Sequence, residues 1–97
     1  MKTLENIRQI IEDHREVCRH QYHVKGLSVF GSYVKKEQKE SSDLDILVEF
    51  EKPISLLQLV SLENYLSDIL GLKVDLVPKN NLREELKVSI LKEAISI

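Results

Sequence analysis

Leu4, Ile7, Ile11, His14 and Cys18 step by three and four along the first segment, and Ile10 and Val17 widen the stripe. That period predicts an amphipathic helix through about residue 22, with Thr3 as its N-cap. The next apolar run, LSVF at 27–30, reads as a short buried strand ending at Gly31. A polar, lysine-rich stretch at 33–42 follows, as a loop or short helix. DLDILVEF is the clearest strand: Leu44, Ile46, Val48 and Phe50 alternate to one face, and Asp43, Asp45, Leu47 and Glu49 to the other.

Pro53 breaks this pattern. Ser55 with Gln58 forms a capping box, and Ile54 with Leu59 a hydrophobic staple. A helix is expected from Leu56 to Leu70, closed by Gly71 in the C-cap role. KVDLV at 73–77 is a third strand stopped by Pro78. The tail at 79–97 reads as helical, with AISI as a candidate short strand and Ile95 and Ile97 suited to a sheet edge or a partner. The order predicts an α/β fold: a small mixed β-sheet with helices packed on it.

The 97 residues fit one domain: an N-terminal helix at 1–22, a core at 24–77 and a C-terminal tail at 79–97. The mix of 42% hydrophobic and 31% charged residues suits a soluble globular chain. A net charge of −2 argues against strong direct binding of nucleic acid through phosphates. The opening MKTLENIRQIIEDH lacks the uninterrupted apolar core of a signal peptide, and no apolar run approaches a membrane span. One cysteine, Cys18, forms no internal disulfide, so a cytoplasmic setting is expected.

The chemistry lies in VFGSYVKKEQKESSDLDILVEF, 29–50. Asp43 and Asp45 share a strand face, with Cα atoms about 6.6–7 Å apart. Two carboxylates placed so must hold cations, or one must take up a proton. Oxygen donors favour magnesium or manganese. Asp75 is a third acid inside an apolar strand. If its strand neighbours the DLDILV strand, Asp75 projects beside the other two. Gly31 permits a tight turn and close backbone approach. Ser32 offers a hydroxyl and an N–H to a phosphate, and Lys35, Lys36 and Lys39 follow. A phosphate clamp beside a divalent-cation site suits phosphoryl or nucleotidyl transfer.

Each part also has a plainer reading. Gly-Ser is commonly only a turn, Asp-x-Asp a solvated strand end, and a lysine run a solvated loop. The conjunction in order changes the balance. Gly-Ser, ten intervening residues, then Asp-x-Asp with interleaved apolar residues resembles the signature of the polymerase-beta-type nucleotidyltransferase superfamily. The layout from Leu27 onward is similar to its minimal nucleotidyltransferase (MNT) domain.

The resemblance implies a polymerase-beta-like nucleotidyltransferase fold and residue roles. Gly31, Ser32, Lys35 and Lys36 would bind the nucleotide. Asp43 and Asp45 would hold two magnesium ions, and through them ATP. Asp75 would share the metal nearer the acceptor and help deprotonate it. Related domains often carry Arg-Gly where this chain has Lys35 and Lys36; lysine keeps the charge without the bidentate fork.

A chain this short has no room for a domain that presents the acceptor. MNT proteins are commonly paired with a HEPN-domain protein. The resemblance therefore implies an antitoxin that transfers AMP from ATP to a tyrosine of a HEPN ribonuclease toxin. Two alternatives stay open: an antitoxin that neutralises by binding alone, and a nucleotidyltransferase for a small-molecule or RNA acceptor.

Other features have simpler readings. Cys18, His20 and His23 lack a fourth ligand at zinc-finger spacing. Cys18 continues the apolar stripe as a small core residue. Tyr33 either stacks on a base or packs into its loop, and Tyr22 and Tyr65 are structural.

Overall fold

The computed structural model describes residues 3–35 and 43–97. The elements are α1 (Leu4–Asp13), α2 (Arg15–Tyr22), β1 (Val24–Phe30), α3 (Ser32–Lys35), β2 (Leu44–Phe50), α4 (Leu56–Leu70), β3 (Val74–Pro78), α5 (Glu84–Glu93) and β4 (Ile95–Ser96), with a 3-10 turn at Lys79–Asn81. The sheet order is β3-β2-β1-β4. β1 pairs antiparallel with β2 and β4, while β2 and β3 run parallel through the α4 crossover.

Thr3 caps α1 as expected, and its hydroxyl accepts from the Asn6 N–H at 3.2 Å. The expected single helix, however, is interrupted at His14. An uninterrupted helix would direct the His14 N–H to the Ile10 carbonyl. Instead the His14 ring Nδ1 takes that carbonyl at 2.8 Å, and the N–H turns to Ile11 O at 3.1 Å. The ring meets Tyr65 of α4 edge-on, with centroids 6.0 Å apart. Tyr65 also lies 5.5 Å from Tyr22, which fits the structural reading of both tyrosines.

β1 starts earlier than LSVF and carries a bulge: Val24 pairs with Phe50, and Gly26 already pairs with Glu49. The extra residue, Lys25, keeps both Val24 and Leu27 inward despite their odd spacing. α4 keeps its expected bounds because both ends are set locally. Ser55 Oγ accepts from the Gln58 N–H at 3.2 Å, and Gly71 adopts φ 68°, a left-handed C-cap. β3 includes Pro78, one residue beyond expectation.

The core unites Ile7, Ile11 and Cys18 with Leu62, Leu66 and Leu70 of α4 and the inward residues of the sheet. Leu44, Ile46 and Val48 are all buried. Leu47, on the opposite face, is buried too; Leu91 of α5 and Ser96 of β4 border the small cavity beside it. β4 pairs with β1 through Ile95 and Ser96, and Ile97 is buried with its N–H on Leu27 O at 3.0 Å. The apolar tail thus finds the sheet edge. Cys18 is buried, and burial pushes its thiol pKa up, which suits a packed core residue. No helix among the described residues is long and apolar enough to cross a membrane.

Candidate active site

The three acids meet at the N-terminal ends of the parallel strands β2 and β3. Register decides this. The Leu44 N–H donates to Lys73 O at 2.9 Å, which aligns the two strand starts. Asp45 then lies directly opposite Asp75, and on the other side Phe30 lies opposite Asp45. Phe30, Asp45 and Asp75 therefore form one row across the sheet. Asp43 sits just before β2, two residues from Asp45 and near enough for its charge to act on it, with its Oδ2 3.8 Å from Lys73 Nζ. Both side chains of that pair are well exposed, so it contributes little to stability.

Asp45 is the most enclosed of the three, and its carboxyl pKa is raised. Loss of solvent is the largest cause; the charge of Asp75 comes next and that of Asp43 last. The three carboxylates thus act as one electrostatic group, and a cation among them would relieve the strain on Asp45.

The Gly31 turn follows β1 and lies against this group. Gly31 has φ 78°, and a Cβ placed there would come within 2.3 Å of Asp45 Oδ2. Two independent constraints, backbone conformation and space, therefore demand glycine. The Val34 N–H closes the turn on Gly31 O at 3.1 Å. Ser32 and Lys35 are the first and last residues of α3. Lys36 and Lys39, also expected to meet phosphates, lie outside the described residues. Tyr33 is buried in the core, so packing rather than base stacking accounts for it.

Among the described residues, no three histidine, cysteine or acid side chains are drawn into a ready-made metal site. The donor chemistry still fits a hard divalent cation: the neighbouring groups are carboxylates, and their charges oppose one another at Asp45. A cavity of about 500 Å³, bordered by Phe50, Pro53, Ile54, Leu59 and Pro78, opens at the other ends of β2 and β3. The acids, not this larger hollow, carry the candidate chemistry.

Sequence reading passed over Glu63 and Ser67 of α4. Glu63 Oε2 accepts from the Leu76 N–H at 2.9 Å, and Ser67 Oγ accepts from the Val74 N–H at 3.0 Å. Their i, i+4 spacing on one helix face was a signal, but its target was not visible without the fold.

The nucleotidyltransferase domain family matches residues 11–97. A Methanocaldococcus jannaschii protein that bears a protein-adenylyltransferase name is 50% identical over 98 residues, covering all of both chains. The protein adenylyltransferase MntA of Thermococcus cleftensis is 45% identical over 97 residues, covering all of this chain and 98% of its own. Among solved structures, a minimal nucleotidyltransferase superposes with a TM-score of 0.84 at 35% identity, covering 99% of this chain and 97% of the other. This four-strand mixed sheet with packed helices is thus a minimal nucleotidyltransferase fold. Two more distant structures share the fold. A toxin–antitoxin complex with AMP-PNP has a TM-score of 0.75 at 24% identity, over 94% of this chain and 71% of that one. A tri-AMPylated Shewanella oneidensis HEPN toxin with an MNT antitoxin has a TM-score of 0.67 at 18% identity, over 93% and 70%.

Proposed function

Because the chain belongs to the nucleotidyltransferase domain family, we propose that it is the antitoxin of a toxin–antitoxin pair, transferring AMP from ATP to a tyrosine of a HEPN-domain ribonuclease toxin. The observation that carries this reading is the alignment of Asp45 with Asp75, with the Gly31 turn packed against Asp45. Relatives with protein-adenylyltransferase names support a protein acceptor. The AMPylated HEPN toxin seen with an MNT antitoxin supports the nature of the partner, and the AMP-PNP complex supports ATP.

Asp43, Asp45 and Asp75 would hold magnesium. Bound there, magnesium supplies positive charge against the triphosphate and the departing pyrophosphate. The chain's own groups do the rest. The bare Gly31 lets the backbone turn lie beside Asp45, where a phosphate would meet it. Ser32, Lys35 and Lys36 would bind the nucleotide, a role that rests on the motif in the sequence. Asp75 accepts the tyrosine proton as the phenolic oxygen attacks the α-phosphorus. A new O–P bond forms, the bond to the bridging oxygen on the β-phosphate side breaks, and pyrophosphate leaves with that electron pair.

The test incubates the purified chain with its co-encoded partner, magnesium and ATP labelled at the α-phosphate. Label should appear on a partner tyrosine, and the Asp43→Asn, Asp45→Asn double variant should transfer none. A partner left unlabelled but still neutralised by that variant would replace transfer with binding alone. Label on RNA or a small molecule would replace the protein acceptor.

A further inference from the structure

β3 is five residues long and lies at the sheet edge, yet it must hold Asp75 in register with Asp45. One side of the strand is secured by β2. In a parallel pair, alternate residues direct their N–H groups to the neighbour and away from it. The Lys73 carbonyl faces β2, where Leu44 donates to it, so the Val74 and Leu76 N–H groups face outward. An edge strand normally leaves such groups to water or to another chain.

Here α4 takes both. Ser67 Oγ accepts from the Val74 N–H at 3.0 Å, and Glu63 Oε2 accepts from the Leu76 N–H at 2.9 Å. Both bonds are partly buried, which strengthens them and makes their loss costly. The two contacts bracket one residue, Asp75. The helix that makes them is anchored in the core by Leu62, Leu66 and Leu70, each fully buried. A one-turn step on the helix, Glu63 to Ser67, matches a two-residue step on the strand, Leu76 to Val74, in the opposite direction.

We propose that Glu63 and Ser67 are positioning residues for the transfer reaction: they clamp the outer edge of β3 and so fix Asp75 beside Asp45. Glu63 does this as a hydrogen-bond acceptor, through its oxygen rather than its charge. This role rests on the nucleotidyltransferase reading for its catalytic consequence, and on the two hydrogen bonds for its structural one. An ordinary surface glutamate or serine has neither consequence.

The experiment compares Glu63→Ala, Glu63→Gln and Ser67→Ala in single-turnover transfer of labelled AMP to the partner, each rate taken per folded molecule. Loss of a residue that orients a reacting group costs about 10–100-fold. Glu63→Ala should slow transfer by that factor at saturating ATP while KM for ATP stays unchanged. Glu63→Gln, whose amide oxygen still accepts the Leu76 N–H, should stay within about threefold of the parent, well below that range. Transfer by Glu63→Ala at the parental rate, or equal loss in Glu63→Gln, overturns the proposal.

A second readout needs no activity. Amide hydrogen exchange at Leu76 should accelerate in Glu63→Ala and not in Glu63→Gln, and the Asp75 carboxyl carbon resonance should shift only in the alanine variant. Unchanged exchange and an unchanged Asp75 signal in Glu63→Ala overturn the clamp. If the parent protein transfers no AMP to any acceptor, the functional reading fails, while these measurements still decide whether Glu63 holds Asp75.

Discussion

Gly31 and Asp45 occupy a space that admits only one side chain. A Cβ at Gly31 would sit 2.3 Å from Asp45 Oδ2, and its backbone is already left-handed at φ 78°. Gly31→Ala should cost about 1–2 kcal/mol from the backbone conformation alone. The displaced Asp45 adds a catalytic loss, since a shift of about 1 Å at such a site lowers rates roughly 100-fold. Urea unfolding together with AMP transfer measures both. An alanine variant of parental stability and rate would show that the turn does not abut Asp45.

Asp45 should trade stability for chemistry in a pH-dependent way. Its folded-state pKa is raised above the ordinary value of 3.8 by lost solvent, then Asp75, then Asp43. The folded protein therefore holds the proton more tightly than the unfolded chain. That contribution to stability is fully present below pH 3.8 and is lost as pH rises through the elevated folded value. At neutral pH without divalent cations, Asp45→Asn should raise the melting temperature while abolishing transfer, and the gain should shrink on acidification. Magnesium should raise the melting temperature of the parent and not of Asp45→Asn. Thermal scans at several pH values, with and without magnesium, check each sign. A lower melting temperature for Asp45→Asn at neutral pH would contradict the electrostatic account.

His23 ends α2 with φ 57°, a left-handed C-cap without glycine. Its N–H still closes the helix on Cys18 O. His23→Gly should remove the steric cost of that conformation and stabilise the fold by about 1 kcal/mol, the low end of the range for a left-handed side-chain residue. Chemical denaturation of the two proteins measures the difference, and a destabilised glycine variant would reveal a contact of the His23 ring that outweighs it.

Leu66 is fully buried in the face of α4 that anchors the crossover. Leu66→Ala should cost about 2–5 kcal/mol through lost burial and the cavity left behind. Because α4 also holds β3, the Leu76 amide should lose protection against hydrogen exchange in the same variant. A loss below about 1 kcal/mol, under the range for buried leucine, would show that the helix repacks freely.

Much of the architecture was legible before the fold. α4 was read end to end because its caps, Ser55 with Gln58 and Gly71, act within a single turn. The strand holding Asp45, with Asp43 just before its first residue, was legible because apolar alternation is a local signal. Other features were not. The break at His14 depends on a ring that takes the Ile10 carbonyl and meets Tyr65 about fifty residues away in sequence. The bulge at Lys25 exists only relative to its pairing strand. Burial of Leu47 came from the tail folding back across the sheet, which alternation within β2 does not encode.

The sequence by itself determined the candidate set: a glycine turn, two acids at the head of a strand, a third acid inside another strand, and the capped helix between them. Each follows from periodicity or from capping within a few residues. Only the tertiary structure decided that Asp45 and Asp75 are neighbours, that Gly31 has no room for a Cβ, and that Glu63 and Ser67 hold the far edge of β3. Those relationships join residues brought together by the α4 crossover and by strand register. Register is set by how the whole core packs, and no local pattern contains it.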